Sequence, residues 1–397
     1  MATANPIPDS AATTDVPVAE LLIVLAASTP PEQIEEALAN LAQAFTADSV
    51  IVAAPDGFGA HVSTPLRVVP APRSDTGWTL KPTDFINAFE IGRKHESRAV
   101  LILGPGSSSL NPNVLRAMAD SVFNASTDLV LPHYALPPNS GLINSAILYP
   151  LTRALFAASP RFPLAIDLGL SMRMTELLAT AAQRFSTPGK EDALLWPVNE
   201  AVAAGFSVEE IDAGPREIPQ PANVDISAIL ALVTGSLFGD IEAKAAVWQR
   251  PRRSSNGHRP DSSASSVGSP EDVAHMVEAF RLAYTNLSEI WSLVLPPQSM
   301  LALKRFSKVD ANVFRMPESL WARIVYDFLI AYRLRTINRG HLMGALIPLY
   351  LAWVAGHINV TASGTAPDRH IEEVAAAFEV DKPYLVARWR WPDRFNA

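Results

Sequence analysis

Residues able to do chemistry are few in this chain. No cysteine occurs in 397 residues, which removes disulfides, thiolate metal sites, iron–sulfur clusters and cysteine nucleophiles together. The eight histidines form neither His-Glu-x-x-His nor His-x-His, so no zinc site from neighbouring ligands is expected. There is no Walker A sequence, and Gly169-Leu170-Ser171-Met172-Arg173 lacks the second glycine of a nucleophile elbow. The informative stretch is Gly104-Pro105-Gly106-Ser107-Ser108-Ser109, which follows a strongly apolar run. In an open α/β sheet the ligand crevice lies at the carboxyl ends of the strands, where a Gly/Ser-rich connection can present backbone N–H groups to a phosphate. Gly-Pro-Gly is equally a tight turn, so the segment reads either as a ligand contact or as a plain connection. Arg250, Arg252 and Arg253 precede a serine run and read as a solvated linker, the functional alternative being an acidic membrane surface or a phosphorylation site. His133 reads as structural.

The elements that must position these residues alternate, as in a βα-rich domain. Strands are expected at Glu20–Ala26, Val50–Ala54, Leu66–Val69, Ala99–Leu103 and Leu129–Leu131, with helices at Pro31–Phe45, Pro82–Lys94, Pro112–Phe123 and Leu142–Ala158. Beyond Pro160 the spacing predicts an extended Leu164–Leu170, helices near Glu176–Arg184 and Ala193–Ala204, a strand at Phe206–Ile211 and a long helix from Asp225 to Trp248. Residues 250–270 are rich in Ser, Arg, Pro and Gly and form a linker. Helical spacing returns at Glu271–Leu293, Glu318–Thr336 and Arg339–His357. The predicted division is therefore a tail over 1–17, an α/β domain over 18–249, the linker, an all-α region over 271–360, and an aromatic tail over 361–397 that docks back on the body.

Composition bounds the function. Forty acidic against 32 basic residues give a formal charge of −8, which argues against a nucleic-acid binder. A 48% hydrophobic content supplies a large core across two or three packed units. No targeting segment is recognised, so a cytoplasmic location is expected. The uncharged stretch Gly340–Pro367 is long enough to span a membrane, but Pro348, His341 and His357 favour a buried helix.

Asp128-Leu-Val-Leu-Pro-His-Tyr134 and Gly141-Leu-Ile-Asn-Ser-Ala-Ile-Leu-Tyr-Pro-Leu-Thr-Arg-Ala-Leu-Phe156 resemble the middle of bacterial GT-A-type glycosyltransferases, a group similar to mannosylglycerate synthase and glucosyl-3-phosphoglycerate synthase. Leu320-Trp-Ala-Arg-Ile-Val-Tyr-Asp-Phe328, Asn338-Arg-Gly-His-Leu342 and Pro348-Leu-Tyr-Leu351 resemble the helical tail of the same proteins. The resemblance implies a GT-A-like α/β domain with a mixed, mostly parallel sheet, followed by an all-α region. It also implies sugar transfer from a UDP- or GDP-linked donor. Asp56 stands where the family's acid holds the base, and Lys81 where its lysine precedes a helix, with Leu80 and Pro82 in place of glycines. Asp167 keeps the acid of a donor-binding stretch in Ala165-Ile166-Asp167-Leu168-Gly169. The metal-binding Asp-x-Asp is replaced by Gly104-Pro105-Gly106, the later histidine is missing near Pro215-Arg216-Glu217-Ile218, and a further acid is replaced by Leu194 ahead of Trp196.

A cation there would neutralise the departing diphosphate, and without carboxylates a hard Mg²⁺ or Mn²⁺ has no anchor in that loop. An active enzyme would rely on side-chain cations, for which Lys81, Arg153, Arg161 and Arg173 are candidates. Three readings follow: a metal-independent glycosyltransferase, a catalytically degenerate homologue that binds or scaffolds, and a phosphate or nucleotide sensor built on Ser107–Ser109. A homo-oligomer or an active homologue is the expected protein partner, with no nucleic acid and no transmembrane segment.

Overall fold

The computed structural model describes residues 20–56, 64–73, 77–123, 127–137, 140–185, 194–216, 225–250 and 270–391. The expected 1–17 tail, nearly all of the 250–270 linker, Arg252, Arg253, Gly57, Glu217, Ile218 and Phe395 lie outside them.

Seven strands form one sheet: β1 (Leu21–Leu25), β2 (Val50–Pro55), β3 (Arg67–Ala71), β4 (Ala99–Leu103), β5 (Leu129–Ala135), β6 (Asp167–Ser171) and β7 (Val208–Pro215), in the order β3-β2-β1-β4-β6-β5-β7. Every pairing is parallel except those of β6, which runs antiparallel to both β4 and β5. This is the mixed, mostly parallel sheet that the resemblance implies. Central strands covered on both faces need continuous apolar runs. Leu21–Leu25 and Ala99–Leu103 supply them, with every residue buried.

Helices α1 (Pro31–Ala44), α2 (Pro82–Lys94), α3 (Pro112–Phe123), α4 (Tyr149–Phe156), α5 (Met172–Gln183) and α6 (Pro197–Ala204) connect and cover the strands. Local chemistry sets their starts. Pro occupies the first turn of α1 and α2, where its missing N–H is not needed. The Ser171 hydroxyl accepts the Met174 N–H at 3.2 Å and caps α5. The helix expected from Leu142 starts there and carries a π-turn, Asn144–Leu148, ahead of α4.

After α7 (Ile226–Ala243) and the short α8 (Ala245–Trp248), the elements among the described residues are all helical: α9 (Pro270–Val294), α10 (Pro297–Phe306), α11 (Glu318–Leu334), α12 (Arg339–Ala362) and α13 (Pro367–Arg390). α12 and α7 are both long and apolar enough to cross a membrane. α12 nevertheless packs against α7, α9, α11 and α13, with Leu342, Leu349, Trp353 and His357 buried. The segment expected as an aromatic tail is the helix α13, with Pro383 inside it. It carries Trp389 edge-on to Trp248, ring centroids 5.0 Å apart.

The helical region is fastened to the α/β half. Trp321 donates its indole N–H to Ala146 O at 2.8 Å, and Lys382 donates to Leu155 O at 3.2 Å. Arg153 of α4 pairs with Glu372 and Glu379 of α13.

Candidate functional site

Because β6 is inverted, its first residue stands beside the last residue of β4: Asp167 is in register with Leu103. Asp167 is thereby delivered to the carboxyl edge of the parallel strands, where the loop Gly104–Ser109 leaves the sheet. Its side chain is fully buried, as is that of Arg216 just beyond β7, and Arg216 Nε donates to Asp167 Oδ2 at 3.0 Å. Nη2 of Arg216 donates to Asp167 Oδ1 at 3.3 Å and to Pro105 O at 3.0 Å, while Nη1 donates to Gly106 O and to Ser109 Oγ at 3.1 Å.

A guanidinium has five N–H bonds. Here those five meet five oxygens of the protein itself. The carboxylate is as fully engaged: Oδ1 also accepts the Gly104 N–H at 3.0 Å, and Oδ2 the Tyr134 hydroxyl at 2.8 Å. Burial, followed by the neighbouring Asp167 charge, pushes the Tyr134 phenol well above its ordinary range, so it stays a donor. A buried ion pair of this kind survives desolvation only when its remaining donors and lone pairs are satisfied, as these are.

The loop's own N–H groups are turned inward as well. Gly104 N–H goes to Asp167, Gly106 N–H to Gln33 Oε1 at 2.9 Å, and Ser109 N–H to Gly106 O at 3.1 Å. The Gly104 and Gly106 N–H groups are thus taken by Asp167 and Gln33, and the Asp167 oxygens by Gly104 N–H, Tyr134 and Arg216. The metal fits no better. Among the described residues no group of three His, Asp or Glu side chains could hold an ion. A Cβ on Gly104 would lie 2.9 Å from both Cβ and O of Ile166, so a carboxylate cannot be introduced there without displacing the start of β6. Gly106 has φ +77°, a conformation that glycine adopts without strain.

Other expected site residues stand along the same edge but do not join this cluster. Asp56 follows β2 and is exposed, and its N–H donates to Ala71 O at 2.8 Å. Lys81 precedes α2, its stem close enough that a Cβ on Gly77 would lie 3.3 Å from Lys81 Cε. Its backbone N–H donates to Asp84 Oδ2 at 2.7 Å, and the other oxygen of Asp84 accepts Ala27 N–H at 2.7 Å, which ties α2 to the end of β1. Burial raises the Asp84 pKa, while those two N–H groups pull it the other way. The hydroxyls of Ser28, Thr29 and Ser107 are buried at the ends of β1 and β4 with no hydrogen-bond partner among the described residues.

The remaining candidate cations are engaged elsewhere. Arg153 holds α13, Arg173 pairs with Asp128, and Arg161 is buried against the rings of Tyr149 and Phe162 with Ser145 Oγ at 3.0 Å. Arg173 with Ser171 and Ser207 holds the Asp128 carboxyl down at about 2 against the opposing effect of burial.

No family model matches the chain, and no curated protein matches it. Among solved structures it is similar to glucosyl-3-phosphoglycerate synthase from Mycobacterium tuberculosis in complex with Mn²⁺, UDP-glucose and phosphoglyceric acid: 15% identity, 58% of this chain, 80% of that one, TM-score 0.39. The same enzyme with Mg²⁺ and UDP gives 15% identity, 56% and 79% coverage and a TM-score of 0.39. A further structure, described only as a mycobacterial protein, gives 16%, 58%, 76% and 0.39.

Proposed function

We propose that this chain is a glycosyltransferase-family protein whose diphosphate centre has been rebuilt as an internal ion pair, and that it acts as a binding or scaffolding subunit rather than transferring sugar. One observation carries this reading: each N–H of Arg216 is directed to a protein oxygen, in the loop where the resemblance implies a metal. Stabilising a departing nucleoside diphosphate requires positive charge presented to it. A fully buried guanidinium paired with Asp167 presents none. A fold alone does not confer the activity.

A metal-independent transferase is the second reading. It is favoured by the exposed Asp56 and the partnerless buried hydroxyls of Ser28, Thr29 and Ser107, which leave polar capacity at the crevice. Calorimetric titration with UDP, GDP and their glucose and mannose conjugates, in Mn²⁺ and then EDTA, separates the two. The scaffold reading expects no Mn²⁺-dependent binding and no nucleotide release on prolonged incubation. Binding that survives EDTA, is lost in Asp56→Ala and is accompanied by sugar transfer to an added acceptor would replace it with the transferase.

A further inference from the structure

Three helices of the C-terminal region converge on a buried pair of imidazoles that the crevice does not use. His357 of α12 and His370 of α13 face each other with Nδ1 to Nδ1 at 2.7 Å, and both rings lie nearly parallel to Trp353, at interplanar angles of 14° and 13°. His370 Nε2 is 3.4 Å from Glu318 Oε1 at the start of α11, and Glu318 is itself paired with Arg315 at 2.7 Å. The charges acting on His357 are His370 from α13 and Arg161 from the segment between α4 and β6. Glu318 acts through His370.

The geometry limits how many protons the pair can carry. At 2.7 Å one Nδ1 must donate and the other accept. Two imidazolium rings would set two N–H groups against each other, so the folded pair excludes at least one proton that the unfolded histidines take up below about pH 6.5. Burial, His370 and Arg161 act in the same direction and hold His357 down at about 3. Glu318, held at about 2 chiefly by its bond to His370 and further by Arg315, stays a carboxylate through that range. His357 has a depressed folded pKa, so its contribution is complete above pH 6.5 and is lost progressively as the pH falls.

The pair also sits where the two halves meet. Ile371 and Ala375, which follow His370 on α13, pack on Tyr149 of α4, and Tyr149 donates to Glu372 at 2.7 Å. We infer that the His357–His370 pair is an acid-sensitive latch, and that protonating it releases the first half of α13 from α12 and loosens the hold of the helical region on α4. This inference does not depend on the function proposed for the crevice. Asp327 of α11, which faces the second half of α13, and Asp381 on that half belong to a separate network.

Hydrogen exchange of the full chain, corrected for intrinsic rates and compared at pH 6.5 and 5.0, tests it on the amides of residues 368–378. Exclusion of one proton whose unfolded pKa is about 6.5 increases their opening constant by about 16-fold between these two pH values, while the amides of β1 and β4 change less. His357→Phe keeps a ring against Trp353 and cannot titrate, and is expected to hold the change below about threefold; His357→Asn serves as a second non-titrating variant. A wild-type opening constant that changes less than threefold overturns the latch, even if neither variant folds. So does a change of about 16-fold that persists in either variant.

Discussion

Two buried Arg–Asp pairs, one at the edge of the sheet and one in the helical region, share a design and differ in completeness. In each, a tyrosine hydroxyl donates to the aspartate: Tyr134 to Asp167 at 2.8 Å, and Tyr384 to Asp327 at 2.7 Å. At the sheet edge both carboxylate oxygens accept two donors. In the helical pair Arg388 and Tyr384 both address Asp327 Oδ1, and Oδ2 has no partner among the described residues. Burial then dominates, and the Asp327 carboxyl is pushed up to about 7 despite Arg388 and Tyr384. A fully satisfied network fixes a loop, whereas a half-satisfied one becomes a titrating group.

Removing the cation should separate the two most strongly. Arg216→Ala leaves a buried carboxylate without its counter-ion and is expected to cost about 3–5 kcal/mol in urea denaturation. Arg388→Ala should cost less at pH 6, because Asp327 can take up a proton. Equal losses would break the comparison. Next in size, Gly104→Ala forces a methyl group against Ile166 and is expected to cost about 1–3 kcal/mol, read from the same transition. Tyr134→Phe should cost about 1–2 kcal/mol and exceed Tyr384→Phe.

The last comparison is one of pH. The raised pKa of Asp327 means that the folded state holds a proton the unfolded chain has released, so its contribution to stability falls as pH rises from about 4 to 7. His357 acts in the opposite sense over part of that window. Asp327→Asn should remove the falling component from a plot of unfolding free energy against pH. An unchanged slope would assign it elsewhere.

Much of the architecture was legible because burial on both faces writes itself as unbroken apolar runs, as in Leu21–Leu25 and Ala99–Leu103. The direction of β6 was not, since Asp167-Leu-Gly-Leu-Ser171 has the same composition whichever way it enters the sheet. The helix α13 was not legible, since Pro383 and its polar residues interrupt the apolar period. At the crevice, the missing acids were visible at Gly104-Pro105-Gly106, but their replacement was not. Arg216 lies 49 residues from Asp167 and 110 from Gly106, and nothing local marks it as a partner.

The clasp between Arg153 and Glu379 spans 226 residues. At translation rates of 5–20 residues per second, Arg153 leaves the ribosome about 10–45 s before its partner exists. During that interval α4 has its strands to pack on but not the helix that covers Tyr149 and engages Arg153. The nascent α/β half must therefore wait with an apolar and cationic face uncovered, and contacts of such long sequence separation are slow to close. In the order of synthesis, α13 is a closing element that completes a surface made by the chain long before.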